Sequence, residues 1–213
     1  MADSFTDSFA EQFPTTVLWR RHRDMAPLNA ALASLVRELR DGTPNAAGGT
    51  STRGGYQTDT NFLFRNDPAI DTLRQMLNAV VQAYLPRYFQ HNLVEPPKSV
   101  EARLWGWAVI MKAGDHNAPH VHPDAHLSGV YYVEVPDFSS EQSEKEPGGG
   151  IVFLDPRSAA NMNQCKAHRS SISYMPAAGA VVVFPSYHMH AVFPFRHPGE
   201  RISIAFNVRL SVT

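Results

Sequence analysis

From Leu28 onward apolar residues return every three or four positions, at Leu28, Leu32, Leu35, Val36 and Leu39, and the pattern stops at Asp41-Gly42. That spacing lays one apolar stripe along an amphipathic helix. Asp24 is placed to cap its start, and Pro27 suits its first turn. A second stripe, Ile70, Leu73, Leu77, Val80, Val81 and Tyr84, follows Asp67-Pro68. Pro86 predicts its end near Leu85, because proline has no N–H to continue the ladder. Both stripes read as core. Between them residues 44–60, PNAAGGTSTRGGYQTDT, lack apolar periodicity and predict a long loop, in which Arg53 and Tyr56 could close over a ligand.

After residue 99 the texture changes to short apolar runs punctuated by Gly and Pro: VEARLWGWAVIMKAG, LSGVYYVEVP, GGIVFLDP, GAVVVFPS and RISIAFNVRLSV. Runs of this length with turn signals between them predict an antiparallel barrel or double sheet rather than β-α-β units. The acidic, Ser-rich stretch 137–150 predicts a solvated hairpin loop. No repeat or linker interrupts the chain. The expected organisation is one domain over residues 1–213, in which a helical part, residues 1–95, packs on a strand-rich core, residues 96–213.

Composition then excludes whole classes of function. With 43% hydrophobic and 18% charged residues in 213, the chain can bury one sizeable core. Lys plus Arg is 19 and Asp plus Glu is 20, a formal net charge of −1, so no global field favours a phosphate backbone and nucleic acid is not an expected partner. The single cysteine, Cys165, excludes an intramolecular disulfide and any multi-thiolate cluster, and a reducing cytoplasm is the expected location. No apolar run approaches the roughly 20 residues that cross a bilayer, and the acidic start MADSFTDSFAEQFPTT lacks the order of a signal peptide. No membrane partner is expected, and a homodimer is compatible with the sequence. A Ser or Cys nucleophile has no support, since no G-x-S-x-G elbow occurs and Cys165 lies in a polar stretch.

Histidine stands out of this composition: there are ten, four of them between His116 and His126. In extended chain, residues i and i+2 point to one side about 7 Å apart at their Cα atoms. His120 and His122 can therefore share an ion, and so can His122 and Asp124. A facial triad needs a third ligand from elsewhere and open positions for substrate and oxygen. The segment VVVFPSYHMHAV offers His190 as the best candidate, though His188, two residues earlier, shares its register. Further on, alternation in Arg201-Ile202-Ser203-Ile204-Ala205-Phe206-Asn207 puts Arg201, Ser203, Ala205 and Asn207 on one face. An arginine projecting into a barrel needs an anion. A carboxylate ligand suits its fork; a protein acid such as Glu134, or water, would serve as the plain alternative.

Taken together, His-x-His-Pro before LSGVYYV, then GGxxxxxDPR, FPS...His and Arg-x-Ser-Ile-Ala-Phe-Asn resemble the 2-oxoglutarate and Fe(II)-dependent oxygenase superfamily. More narrowly they look like its poorly characterised bacterial and phage branch, and Phe13-Pro14-Thr15 resembles the start of that branch. The resemblance is densest from Trp107 to Asn207. It implies a double-stranded β-helix, a cupin-like jelly roll buttressed by N-terminal helices, with iron at one mouth. It makes His120 the first ligand, His190 the distal ligand and Arg201, assisted by Ser203, the anchor for the far carboxylate of 2-oxoglutarate. Tyr132 would point at the co-substrate. The common superfamily pattern has an acid two residues after the first histidine, where this chain has His122. The branch pattern favours His120 with His122, and Asp124 stands as the alternative ligand. The implied activity is a dioxygenase that uses Fe(II), 2-oxoglutarate and O2, yields succinate and oxidises an unidentified substrate, which Arg157 or the loop around Arg53 could meet. Two other readings fit parts of the pattern. One is a cupin-like three-histidine metalloenzyme without 2-oxoglutarate, and the other is a non-catalytic jelly-roll binding protein.

Overall fold

The computed structural model describes residues 11–48, 50–92, 95, 97–137, 148–157, 159, 162 and 169–213. Most of the expected acidic loop and Cys165 lie outside the described residues. The elements run β1 (Leu18–Arg21), α1 (Ala26–Gly42), β2 (Thr52–Arg53), β3 (Tyr56–Gln57), α2 (Pro68–Asn92), β4 (Val100–Met111), β5 (His116–His120), β6 (Leu127–Glu134), β7 (Ile151–Leu154), β8 (Ser171–Tyr174), β9 (Ala180–Pro185), β10 (His190–Val192) and β11 (Arg201–Val212). A 3₁₀ turn, Phe62–Phe64, precedes α2.

Both helices lie where the apolar stripes predict them, with two corrections at their ends. Asp24 does not cap α1. It takes a left-handed backbone with φ of 57°, which Asp tolerates better than most residues, and Met25 becomes the N-cap without any side-chain hydrogen bond. Pro27 does sit in the first turn. The second helix begins as expected, with the Asp67 carboxylate accepting the N–H of Ala69 at 2.7 Å. It runs through Pro86 to Asn92 rather than ending near Leu85. Pro86 and Gln82, whose carbonyl loses its helical donor, are both exposed, so water can serve that carbonyl while Tyr88 and Phe89 still pack on the core.

The strands form a six-stranded sheet, β1-β9-β6-β11-β4-β3, and a five-stranded sheet, β2-β5-β10-β7-β8. All the pairings are antiparallel. From β4 to β11 the chain passes between the sheets in the order large, small, large, small, small, large, small, large. This is the jelly roll. The loop at residues 44–60 is less free than its sequence predicts: β2 pairs with β5 and β3 with β4, so it ties an edge of each sheet.

Strict alternation divides the large sheet between two cores. Ile202, Ile204, Phe206 and Val208 face outward with Tyr131 and Val133 and pack against Leu32, Val36, Leu73, Leu77 and Val81 of the helices. Between the sheets Val109, Met111, Val130, Tyr132, Phe153, Val182 and Phe184 form the second core. Phe206 lies opposite Gly129 in the ladder. A Cβ at Gly129 would collide with the Phe206 ring and approach the Val182 carbonyl oxygen to 2.6 Å, so glycine is what lets the ring cover that strand. No helix among the described residues is long and apolar enough to cross a membrane.

Candidate metal and co-substrate site

At one end of the barrel β5 and β10 run side by side with His120 directly opposite His190. The chain then leaves β5 through His122, which is held by the end of β9. The His122 N–H donates to the Ser186 carbonyl at 3.0 Å, Ser186 N–H to the His126 carbonyl at 3.0 Å, and Ser186 Oγ to the Ala125 carbonyl at 2.6 Å. As a result His120, His122 and His190 each offer a ring nitrogen within 4.8 Å of the others. His188 stays out of this group. Its Nε2 donates to the Leu154 carbonyl at 3.1 Å, and its own carbonyl accepts the Nδ1–H of His190 at 2.8 Å. Asp124 lines the same cavity but is not part of the cluster. The other two histidines of the 116–126 stretch are spoken for elsewhere: His126 Nδ1 accepts the Leu210 N–H at 3.0 Å, and His116 Nδ1 lies 3.4 Å from the Gly114 carbonyl.

The protonation of the cluster follows from these contacts. His120 Nδ1 donates to the Ala118 carbonyl at 2.8 Å, and a carbonyl only accepts, so on both His120 and His190 the proton sits on Nδ1 and the Nε2 lone pair is free. Burial pushes His190 down to about 3 and His122 down to about 4, each helped by the neighbouring His120, and burial also lowers His120. All three imidazoles are neutral at pH 7, the state that ligates a metal.

Deeper in the barrel, β11 sends Arg201 inward, 2% exposed. Its Nη1 approaches Met111 Sδ at 3.3 Å, its Cζ lies 5.2 Å from the centre of the Tyr132 ring, and its Nε has no hydrogen-bond partner. Tyr132 OH is likewise buried and unpartnered. Burial raises the Tyr132 pKa against the pull of Arg201, so the phenol keeps its proton to donate. Ser203, opposite Tyr132 in the ladder, is also buried. Neither plain alternative for Arg201 holds. Glu134 is taken by Arg37 at 2.6 Å, and the guanidinium is shut off from solvent. Among the described residues no acid forms an ion pair with it. A buried, unpaired cation with a phenol donor beside it is a costly arrangement that an entering carboxylate would relieve.

One cavity of about 400 Å³ joins the histidines to Arg201, Ser203 and Tyr132. Its walls include polar residues that the sequence pattern did not single out: Asn117, whose Nδ2 donates to Ser51 Oγ and Thr52 Oγ1 at 3.1 Å, and the buried pair Thr52 Oγ1 to Gln57 Oε1 at 2.9 Å. Ser128 Oγ donates to Asn207 Oδ1 at 2.8 Å on the opposite wall. Ser186 also went unremarked as a positioning residue, although FPS at a strand end marks its place. Two expectations fail. Tyr56 turns into the core, its hydroxyl bonded to Thr43 Oγ1 at 2.6 Å, and Arg53 bonds the Thr50 and Thr52 carbonyls. Arg157 is occupied by Asp155 through two side-chain bonds, at 2.7 and 3.0 Å. It lines a separate cavity of about 510 Å³ beside residues 12–17.

Comparison with known proteins decides what this geometry belongs to. A family model described as "Putative 2OG-Fe(II) oxygenase" matches residues 106–207, the segment that carries β5, β10 and Arg201. Over those residues the chain is similar to the 2OG-Fe(II) oxygenases. No curated protein matches the sequence of this chain. Its fold is shared with a prolyl-4-hydroxylase from Pseudomonas putida, at 19% identity, TM-score 0.58 and 91% of each chain covered. It is shared also with the viral collagen prolyl hydroxylase of Paramecium Bursaria Chlorella virus-1, at 13% identity, TM-score 0.56 and 91% and 94% covered. HygX from Streptomyces hygroscopicus, solved with nickel, 2-oxoglutarate and hygromycin B, matches at 12% identity, TM-score 0.57 and 92% and 83% covered. The neutral histidine cluster and the orphaned buried arginine of this chain are a donor set that fits Fe(II) and 2-oxoglutarate.

Proposed function

We propose that His120, His122 and His190 hold Fe(II), that Arg201, Ser203 and Tyr132 hold the far carboxylate of 2-oxoglutarate, and that the substrate enters over Trp105 and Trp107. The observation that carries this assignment is the buried, unpaired Arg201 in the same cavity as three mutually close, neutral histidines. When bound, the metal and 2-oxoglutarate supply the oxidising power drawn from O2, with succinate and CO2 as co-products and a substrate C–H bond as the target.

The chain's own work is binding, orientation and exclusion of water. The Nδ1–H bonds of His120 and His190 to backbone carbonyls fix both rings and aim Nε2 inward. Ser186 holds the 122–126 turn, and so the third ring, against β9. Arg201 and the Tyr132 phenol give a dianion one charged and one neutral donor at the closed end of the barrel, which leaves its other end toward the histidines. Three neutral ligands add no negative charge, so the dianion balances the metal. An all-histidine donor set also suits a metalloenzyme that does not use 2-oxoglutarate, but it gives Arg201 no anion.

Anaerobic titration with Fe(II) and then 2-oxoglutarate tests the proposal through the weak visible charge-transfer band of the chelate. The expected result is a band in wild type and in Asp124→Ala and none in His122→Ala. A band that survives His122→Ala and disappears in Asp124→Ala would move the third ligand to Asp124, and iron binding without a band would favour the reading without 2-oxoglutarate.

A further inference from the structure

The large sheet outreaches the small one. Strands β4 and β11 are 12 residues each, while β5, β7, β8 and β10 have three to five. Beyond the pairing of Leu127 with Val208, β6 no longer accompanies β11. The inward face of the sheet therefore continues past the mouth of the cavity as an uncovered platform. Following Trp107 on β4, that face carries Trp105 and Arg103, and following Asn207 on β11 it carries Arg209. Arg103 and Arg209 are direct partners in the ladder, so their side chains leave the sheet on the same side. Like charges placed opposite each other cost stability unless something negative lies between them.

The pair lies open to solvent, and neither side chain makes an ion pair among the described residues. Arg209 Nη2 donates only to the Asp124 carbonyl, at 2.8 Å. Glu101, an acid on the same face of β4, forms an ion pair with neither among the described residues. The arginines enclose a hollow of about 250 Å³ with Thr60, Asn61, Phe64 and Trp105. Thr60 and Trp105 also line the histidine cavity, so the two spaces adjoin. Trp107 lies 6.0 Å from the His122 ring, centre to centre, and Arg103 is four steps along β4 from Trp107, roughly 13 Å between Cα atoms.

We infer that the arginine pair recognises an anionic group, a phosphate or a carboxylate, at the far end of an elongated substrate whose other end reaches the histidines. The flat or apolar middle of that substrate lies over Trp105 and Trp107, where aromatic faces favour it. The inference rests on the functional reading above for which end reacts; the anion site itself stands on the platform alone.

Calorimetric titration of the metal-free chain at low ionic strength tests it with phenyl phosphate and benzoate, using benzyl alcohol as the neutral control. Saturable binding of an anion, absent for the alcohol and weakened about tenfold or more in Arg103→Gln/Arg209→Gln, is the expected result; the tighter of the two anions names the group. No saturable binding, or equal binding in wild type and the double variant, as would follow from occupancy at Arg201, overturns it. The iron and 2-oxoglutarate titration of wild type reports on the other reading separately. Anion binding that depends on Arg103 and Arg209 in a chain that gives no chelate band would leave the platform standing and remove the oxygenase assignment of the histidine site.

Discussion

Arg201 concentrates more of the site's energetics than any single histidine. Its charge is desolvated with no anion among the described residues to offset the cost, which leaves it primed for a carboxylate. Arg201→Met fills similar space without charge. It is expected to weaken 2-oxoglutarate by about 2–4 kcal/mol, roughly 30- to 700-fold in KM, while iron content is retained; succinate formation against 2-oxoglutarate concentration, with metal analysis, measures both. The Tyr132 hydroxyl has no hydrogen-bond partner among the described residues. Tyr132→Phe should therefore leave the thermal midpoint unchanged or higher and raise the same KM by about fivefold, the worth of one hydrogen bond. A lower midpoint with unchanged KM would show the hydroxyl to be structural.

Among the elements, those that bury apolar surface were readable in advance and those that serve the site were not. GAVVVF and RISIAFNVRL alternate or run apolar because β9 and β11 are covered on both faces. The alternation in β11 alone was enough to put Arg201, Ser203, Ala205 and Asn207 on the inward face. By contrast β5 reads His-Asn-Ala-Pro-His, with no apolar period at all; its backbone is held by β10 and β2, and Asn117 and His120 line the cavity. Ser171–Tyr174 and His190–Val192 are too exposed or too short to show a period. The choice of His190 over His188 needed the ladder partner of His120, which no spacing reveals. Two substitutions test the element arguments. Gly129→Ala would force the Phe206 ring off the strand, with an expected loss of about 1–3 kcal/mol in urea denaturation. Pro86→Ala would return a donor to the Gln82 carbonyl on the exposed face of α2 and is expected to raise stability, by about 1 kcal/mol or more.

On the scale of the whole molecule, the helices are fastened to the sheet by charge as well as by packing. Arg37 of α1 bonds Glu134 at the end of β6 and Glu200 just before β11, and Arg40 bonds Glu200 at 2.7 Å. Burial by itself would raise the Glu200 pKa, but the Arg37 hydrogen bond and the charges of Arg40 and Arg37 outweigh it and hold the carboxyl below its ordinary value. A carboxyl whose pKa is lowered in the folded state contributes stability at pH above its unfolded value, and that stability is lost as pH falls through the folded one. Denaturation midpoints should accordingly fall with acidification below about pH 4.5, and Glu200→Gln should lower the midpoint at pH 7 and flatten that part of the profile. A profile of equal steepness in the variant would place the acid sensitivity elsewhere.

The division of the large sheet into two faces has a consequence for how such a chain can diversify. Inward positions are odd-numbered on β4 and β11 and even-numbered on β6 as far as Tyr132, and most of their outward neighbours, such as Ile110, Tyr131, Ile202, Ile204 and Phe206, belong to the helix-facing core. Substitution can therefore rebuild the reaction chamber without touching the scaffold, or the scaffold without touching the chamber. Adding or removing one residue within β11 would do both at once, turning Ile202 into the chamber and Arg201 toward the helices. Parity makes strand length a fixed quantity in this fold, so new reach toward a substrate has to be gained in the connections between strands.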